Sequence, residues 1–175
     1  MVRYRRNRVA GGTYFFTVTL RDRRSTALVD HIGLLRAAIR YTRRKRMFVI
    51  EAMVVLPDHL HAIWTLPPGD DDYSARWRVF KSRFTQLMVN DGIDIEKNAK
   101  GEYNLWQRRY WEHTILDKAD LNRHVDYIHY NPVRHGYAPS PAGWPYSSFH
   151  RYVRAGLLPP DWGSTNIEFN GIGNE

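Results

Sequence analysis

The sequence predicts a single α+β domain spanning residues 1–175, built on a ferredoxin-like (split βαβ) antiparallel sheet with helices on one face. Apolar and polar residues alternate with the period of a strand over residues 13–20. Two apolar runs, residues 48–56 and 59–66, are separated by the turn-forming pair Pro57–Asp58, which is typical of a hairpin. Helical patterns precede and follow this hairpin. The predicted order is therefore strand, helix, strand, strand, helix, strand, with an additional C-terminal helix and a tail.

The N-terminal region begins with a basic arm, residues 1–10, which we expect to contact DNA phosphates through Arg3, Arg5, Arg6 and Arg8. The first strand follows at residues 13–20. Its alternation places Tyr14, Phe16, Val18 and Leu20 on one face and Thr13, Phe15, Thr17 and Thr19 on the other. Asp30 is expected to cap the first helix, which carries the apolar stripe Ile32, Leu35 and Ile39 and ends in a basic cluster at residues 43–46.

The second predicted helix follows the hairpin and begins at Ser74 as its cap. Trp77, Phe80 and Phe84 recur at helical spacing and are expected to pack on the sheet. The cations on the remaining surface of this helix are expected to bind DNA: Arg76, Arg78, Lys81 and Arg83. Residues 89–104 are polar and predict an irregular loop, and residues 106–116 predict the last strand.

The third predicted helix begins at the cap Asp117 and ends near Tyr130. Asn131 precedes Pro132, and the residue before a proline disfavours the helical conformation. Leu121, Val125 and Ile128 form the stripe that should bury against the sheet. Residues 137–175 form a C-terminal extension, with one short helix at residues 147–155 and an extended tail.

The charge balance indicates a nucleic-acid partner. Lys and Arg together number 26 against 18 Asp and Glu, which gives a net charge of +8, and such a surface with many aromatics suits phosphates and stacked bases. The chain has no cysteine, which excludes disulfides and thiolate metal sites. It has neither an apolar run long enough to span a membrane nor a signal-peptide segment, so we expect a cytoplasmic protein. Nothing in the sequence requires a dimer, and the oligomeric state is left open between a monomer and a larger assembly.

Two histidines in the second strand of the hairpin are candidate metal ligands. His59 and His61 are one residue apart, so in a strand both rings project from the same face and can reach one divalent ion. The alternative is a pair of structural histidines at a strand edge.

The third helix carries a second group of polar residues at helical spacing. His124, Tyr127 and Asn131 share a stripe at the edge of the buried face, where we expect them to be half-shielded from solvent. A tyrosine hydroxyl is a poor nucleophile at neutral pH, but a divalent metal that polarises a phosphate oxygen relieves part of that deficit. Asn131 is a candidate third oxygen ligand, and its alternative role is to cap a turn at residues 132–135.

These motifs resemble those of the REP-associated tyrosine transposases, relatives of the IS200/IS605-type single-strand transposases. The resemblance is carried by residues 58–61 (DHLH) and 124–136 (HVDYIHYNPVRHG), and by shorter blocks at residues 11–17, 55–57, 106–113 and 144–148. It implies a His-hydrophobic-His nuclease on a ferredoxin-like core, dependent on Mg²⁺ or Mn²⁺. Such enzymes cleave and rejoin single-stranded DNA at or beside palindromic hairpins through a 5′-phosphotyrosine.

By position, the resemblance makes His59 and His61 metal ligands, Tyr127 the nucleophile and Asn131 a possible third ligand. His113 belongs to a matching block and, like His124, is a further candidate without a definite role. Two alternatives remain open: a DNA-hairpin-binding protein that does not use cleavage, and a metal-dependent hydrolase whose nucleophile is water. Among neighbouring tyrosines, Tyr110 is expected to pack on the opposite strand face and Tyr130 to point to solvent.

Overall fold

The computed structural model describes residues 7–165 and residue 167. Four strands form one antiparallel sheet in the spatial order β2-β3-β1-β4: β1 (Thr13–Thr19), β2 (Val49–Val55), β3 (His59–Thr65) and β4 (Trp111–Thr114). β2 and β3 form the predicted hairpin, in which Leu56 donates its backbone N–H to the carbonyl of His59 across the turn, at 2.9 Å. This strand order is that of the predicted ferredoxin-like sheet.

The two faces of the sheet carry different helices. α2 (Ile32–Lys45) and α3 (Tyr73–Asn90) cover the face that presents Tyr14, Phe16 and Val18 of β1. α4 (Lys118–Arg134) covers the opposite face, where Phe15 of β1 and Ile63 of β3 are buried. The predicted arrangement of helices on one face is therefore confirmed for α2 and α3 of the ferredoxin-like core. The third predicted helix, α4, lies on the other face.

Two predicted helix caps are wrong. Asp30 ends a short separate helix, α1 (Ala27–Asp30), and α2 begins after His31. α3 begins after Asp72, whose carboxylate accepts a hydrogen bond from the backbone N–H of Ala75 at 3.0 Å. The predicted cap at Asp117 is confirmed, because its carboxylate accepts the N–H of Asp120 at 2.8 Å.

α4 continues beyond the predicted end at Tyr130 and contains Pro132 within it. Pro132 lacks an N–H group, so one intrahelical hydrogen bond is absent there. The helix resumes after this point, since His135 donates its N–H to the carbonyl of Asn131 at 3.0 Å. Tyr130, Asn131 and Pro132 are themselves buried, and their packing overrides the local preference of the residue before proline.

The C-terminal extension adds to the free edge of β2. Val55 donates its N–H to the carbonyl of Tyr146, and Ser148 donates its N–H to the carbonyl of Met53, each at 2.8 Å. Trp144 donates its indole N–H to the carbonyl of Val55 at 2.9 Å. A short helix, α5 (Phe149–Arg154), follows at the predicted place. The predicted extended tail is wrong over residues 156–165, which form successive turns, and residues 166 and 168–175 lie outside the described residues.

None of the helices in the described part of the chain combines the length and the apolarity needed to cross a membrane.

Candidate active site

His59 and His61 lie side by side on the face of β3 that α4 covers. Their ring centres are 5.1 Å apart, and the side chains are 1% and 0% exposed, so the alternation of the strand places them together as predicted. The Nδ1 atom of His61 lies 2.9 Å from the hydroxyl of Thr17 on the neighbouring strand β1. This contact fixes the orientation of the imidazole within the sheet.

The ring of His59 is oriented by the buried carboxylate of Asp58, whose Oδ1 lies 2.8 Å from the Nδ1 of His59. Burial by itself would raise the pKa of Asp58, but the hydrogen bond with His59 and the charge of Arg23 lower that pKa below its usual value. The ionised carboxylate holds the imidazole proton on Nδ1. The Nε2 atom of His59 is buried and has no hydrogen-bond partner among the described residues. A carboxylate behind one nitrogen, with the other nitrogen left as a base, is the arrangement that metal-ligating histidines use.

Tyr127 projects from α4 toward the sheet and lies beside His61. Its ring centre lies 5.3 Å from that of His61 and 5.9 Å from that of Phe15. The side chain is 0% exposed, so the expectation of a half-shielded tyrosine is wrong. The same correction applies to the whole predicted stripe, because His124 and Asn131 are also buried. The sheet shields one side of Tyr127, and a residue from the end of α4 shields the other.

That residue is Arg134, whose role the sequence interpretation missed. Its guanidinium donates a hydrogen bond to the phenol oxygen of Tyr127 at 2.7 Å and lies 5.3 Å from the centre of the ring. The neighbouring His135 was also missed, and its ring centre is 5.2 Å from that of His59. Both residues belong to the motif at residues 124–136. They face the site because α4 does not stop at Tyr130.

Asn131 lies one turn beyond Tyr127 and is 1% exposed. It occupies the interior of α4, so its alternative role as the cap of a separate turn at residues 132–135 is wrong. The amide side chain is therefore held within the packed layer between α4 and the sheet, where a ligand role remains a proposal.

Two other tyrosines, Tyr110 and Tyr130, lie away from the histidine pair. Tyr110 packs on the opposite face of the sheet, as expected, and its hydroxyl lies 3.1 Å from that of Ser74. Tyr130 was expected to point to solvent, but it is only 5% exposed. It is covered by the C-terminal extension, where the backbone N–H of Ile167 lies 3.3 Å from its hydroxyl.

His113 and His124 come together with Asp120 next to the tyrosine site. Among the described residues, these three form one group of His and Asp side chains whose ligand atoms lie within 4.8 Å of one another. The Nε2 of His113 is 2.8 Å from Oδ2 of Asp120, and the Nδ1 of His124 is 2.8 Å from the backbone carbonyl of Asp120. These are hydrogen-bond distances. The network joins the end of β4 to the first turn of α4 and thereby fixes the helix that carries Tyr127.

Asp120 is the charged centre of this network. Burial would raise its pKa, but the hydrogen bonds from His113, from the backbone N–H of Leu116 and from Arg123 outweigh burial and lower that pKa to about 2. The folded-state pKa thus lies below the unfolded value of 3.8, so the carboxylate contributes stability above pH 4 and loses it as the pH falls toward 2.

We expect Asp120→Asn to lower the free energy of unfolding by about 2 kcal/mol at pH 7, because the shift in pKa approaches two units. The difference between wild type and variant should shrink as the pH falls from about 4 to about 2, since the wild-type carboxylate becomes protonated there. Urea unfolding followed at a series of pH values measures this difference. A difference that stays constant down to pH 2.5 would show that the charge of Asp120 contributes nothing.

The arginines of α3 that were predicted to bind DNA differ in their accessibility. Arg76 is 1% exposed, and its guanidinium is bound by the carboxylate of Asp70 at 2.7 Å and by the backbone carbonyl of Met47 at 2.6 Å. It joins α3 to the segment before β2 and to the loop after β3, so its guanidinium has no access to a phosphate. Arg76 is therefore excluded from the DNA surface proposed below.

The other predicted DNA-binding cations are accessible or lie outside the described residues. Arg8 and Arg78 are exposed, and Arg8 forms an exposed ion pair with Asp71 at 3.4 Å. Lys81 and Arg83 are partly exposed, and Arg83 lies over the ring of Tyr41. Residues Arg3, Arg5 and Arg6 of the basic arm fall outside the described residues.

Comparison with known proteins places this geometry in a family. The model of the family described as "Transposase IS200 like" matches residues 9–131, which include His59, His61, Tyr127 and Asn131. The chain is 48% identical over 170 residues to the REP-associated tyrosine transposase of Escherichia coli (strain K12), covering 97% of this chain and 96% of that protein. A relative from Haemophilus influenzae is 45% identical over 165 residues, covering 93% and 94% of the two chains.

A solved structure supports the same assignment. It is described as the REP-associated tyrosine transposase bound to a REP hairpin, and it matches 97% of this chain with a TM-score of 0.84 and 48% sequence identity. The family model, the sequence identity and the fold agree over most of the chain. The protein therefore belongs to the IS200-like transposase family.

Proposed function

We propose that this protein is a metal-dependent tyrosine transposase that cleaves and rejoins structured single-stranded DNA at REP-type palindromes through a 5′-phosphotyrosine. The observation that carries the proposal is the position of Tyr127. Its phenol lies beside the buried pair His59 and His61, with the guanidinium of Arg134 at 2.7 Å from the phenol oxygen. A nucleophile, a cation and two imidazoles thus converge at one place on the face of the sheet.

The donor set fits a divalent metal ion, Mg²⁺ or Mn²⁺. The buried Nε2 of His59 has no hydrogen-bond partner among the described residues, and the carboxylate of Asp58 supports the opposite nitrogen. The Nδ1 atom of His61 is likewise held, by the hydroxyl of Thr17. We infer that His59 and His61 bind the ion, with Asn131 as the candidate oxygen ligand. The ion would polarise a phosphate oxygen and hold the scissile bond for attack.

The chain itself supplies the nucleophile. The phenol oxygen of Tyr127 attacks the phosphorus, the bond from phosphorus to the 3′ oxygen breaks, and the 5′ phosphate stays on the tyrosine. The phenol gives up its proton, and the departing 3′ oxygen takes one up to become a hydroxyl, so the step has no net gain or loss of protons. Arg134 stabilises the negative charge that develops on the phenol oxygen as its proton leaves. Rejoining is the reverse of these steps.

The proposed partner is a DNA hairpin with adjoining single strand, because the solved relative is described as bound to a REP hairpin. The exposed or partly exposed cations Arg8, Arg78, Lys81 and Arg83 would contact phosphates. Arg3, Arg5 and Arg6 of the basic arm, which lie outside the described residues, are expected to make further phosphate contacts.

Incubation with an end-labelled hairpin, followed by a denaturing gel, tests this function. A covalent protein–DNA adduct together with a cleaved product supports the tyrosine mechanism. Cleavage without an adduct supports a hydrolase that uses water, and a native-gel shift without cleavage supports a hairpin-binding protein. Either of the last two outcomes overturns the proposal.

Removing residues 1–8 is expected to weaken hairpin binding and to flatten its dependence on salt. Each phosphate contact that is lost should reduce the slope of log K against log salt by about 0.7–0.9. Fluorescence anisotropy at several salt concentrations measures both quantities. A matched variant, Arg44→Ala at the exposed end of α2, should leave the slope unchanged. An unchanged slope in the deletion would show that the arm does not contact DNA.

A further inference from the structure

The cluster of His113, Asp120 and His124 brings nitrogen and oxygen donors together at a place that the proposed chemistry does not use. His113 comes from β4, and the other two residues come from the first two turns of α4. Strand β1 lies between β4 and the strand that carries the histidine pair. Its Phe15 ring packs against both groups, with its centre 4.9 Å from that of His124 and 5.4 Å from that of His61. The cluster is therefore separate from the proposed catalytic site.

The distances within the cluster are close to those between donor atoms that share a metal ion. The Nε2 of His113 is 2.8 Å from Oδ2 of Asp120, and the Nδ1 of His124 is 3.1 Å from Oδ1. Imidazole nitrogens and carboxylate oxygens bind Zn²⁺ at about 2.0–2.2 Å, so two such atoms on one ion stand roughly 3–3.5 Å apart. An ion can therefore replace the protons that join these atoms after side-chain movements of about 1 Å.

The charges of the cluster also suit a cation. Burial opposes ionisation of Asp120, but its hydrogen bonds lower its pKa to about 2, so the carboxylate is charged at neutral pH. Burial lowers the pKa of the His124 imidazole, which favours the neutral form that binds metals. The cluster thus offers one negative charge to a cation, together with imidazole nitrogens that carry lone pairs.

One side of the cluster is open to solvent. The side chain of His113 is 31% exposed, whereas Asp120 and His124 are buried. Arg123 contacts Oδ1 of Asp120 at 3.2 Å, but its side chain is 68% exposed and can turn into solvent when an ion takes its place. The backbone N–H of Leu116 donates to Oδ2 at 3.0 Å and keeps the carboxylate oriented. An ion can therefore enter beside His113 and keep a water molecule as its fourth ligand.

The donor types select among cations. Mg²⁺ and Ca²⁺ prefer sets of oxygen ligands, whereas two imidazoles with one carboxylate suit a first-row transition ion such as Zn²⁺. We propose that His113, Asp120 and His124 bind a Zn²⁺ ion, at a site distinct from the one proposed at His59 and His61. The hydrogen-bonded network of the cluster is the metal-free form of this site.

A bound ion would tie β4 to the helix that presents the nucleophile. His113 belongs to β4, and His124 lies three residues before Tyr127 on α4. Because these donors come together only in the folded chain, an ion that binds them stabilises the fold. The expected effect is on the stability and position of α4, and not on the chemical step.

Zn²⁺ binding to the metal-stripped, full-length chain tests the inference. The His59→Ala variant removes the competing histidine pair, and isothermal titration calorimetry in excess Mg²⁺ should still show one bound Zn²⁺. Adding His113→Ala to this variant should lower the Zn²⁺ affinity by on the order of 10²-fold or more, because a direct ligand is removed. Adding His31→Ala is the matched control, because His31 is a similarly exposed histidine outside the cluster, and the affinity should not change.

Thermal unfolding of the same proteins gives a second readout. Zn²⁺ should raise the Tm of the His59→Ala protein and of its His31→Ala control by several degrees, because the ion binds only the folded state. The Tm of the protein that also carries His113→Ala should stay unchanged. Circular dichroism without metal shows whether each variant is folded before Zn²⁺ is added.

Anomalous diffraction at the zinc edge, from wild-type crystals grown with Zn²⁺, locates the ion without any substitution. A peak among His113, Asp120 and His124 supports the inference. Zn²⁺ density confined to His59 and His61, or a Zn²⁺ affinity that His113→Ala leaves unchanged, would show that the cluster is a hydrogen-bonded network alone. Neither measurement depends on DNA cleavage, so that result would leave the proposed function intact.

Discussion

Tyr127→Phe is expected to abolish DNA cleavage and the covalent adduct while leaving hairpin binding close to that of the wild type. The substitution removes the attacking oxygen and keeps the buried ring, which packs against Phe15 and His61. Loss of the nucleophile should reduce the cleavage rate by on the order of 10³-fold or more. Single-turnover cleavage of a labelled hairpin measures the rate, and the adduct is read on the same denaturing gel.

Tyr130→Phe is the matched control, since it removes one buried hydroxyl from the same helix. Tyr130 lies beneath the C-terminal extension and not beside the histidines. This variant should cleave at a rate within a few-fold of the wild type. Peptide mapping that finds the DNA remnant on Tyr130 or Tyr110 would show that the nucleophile has been assigned to the wrong residue.

His59→Ala is expected to have a comparably large effect through the metal ion. Its buried Nε2 is the donor atom that lacks a partner among the described residues, so its loss should remove most of the metal affinity. Cleavage should fall by on the order of 10²- to 10³-fold, and hairpin binding should persist because the phosphate contacts lie elsewhere. Cleavage assays over a range of Mn²⁺ concentrations measure this effect.

His31→Ala serves as the control, because His31 lies at the start of α2 on the other side of the sheet. Chelation of the wild type should reproduce the His59→Ala result, and added Mn²⁺ or Mg²⁺ should restore the rate. Full-rate cleavage by chelated wild-type protein would establish that the histidine pair is structural and that the proposed mechanism is wrong.

Much of the fold could be predicted because it depends on local patterns. Strict alternation assigned the residues of β1 to two faces, and the structure confirms this division, with Phe16 and Val18 in the core beneath α2 and α3 and Phe15 in the core beneath α4. The hairpin at Pro57 and Asp58 set the register that brings His59 and His61 to the face of α4. Asp117 caps α4 through a hydrogen bond with Asp120, which is only three positions away in the sequence. Each of these features is fixed by neighbours in the sequence.

The end of α4 could not be predicted in the same way. A residue before proline disfavours the helical conformation, and that local rule favoured an end at Tyr130. Packing of Tyr127 and Asn131 against the sheet outweighs it, and packing is not visible in a pattern of nearby residues. The consequence for the site was large, since Arg134 reaches Tyr127 from two turns away only when the helix is continuous.

The burial of side chains on the outer side of α4 also could not be predicted from local sequence patterns. Helical geometry places Tyr127 and Tyr130 on different sides of α4, and the side away from the core was expected to meet solvent. The structure covers that side with residues from far along the chain. His129 on α4 lies 2.9 Å from the hydroxyl of Ser148, and its ring centre is 4.6 Å from that of Tyr152. Burial lowers the pKa of His129 to about 3, with the charge of Arg151 acting in the same direction.

The extension that follows α4 thereby sets the size of the smallest fragment that can fold. The family model ends at residue 131, and a truncation designed on that limit would cut α4 before Pro132. It would also strip the edge of β2 of the segment that occupies it and expose His129 and Tyr130 to water. An exposed sheet edge beside newly uncovered aromatic residues favours aggregation. Fragments intended for spectroscopy or crystallisation should therefore retain the chain through at least residue 165.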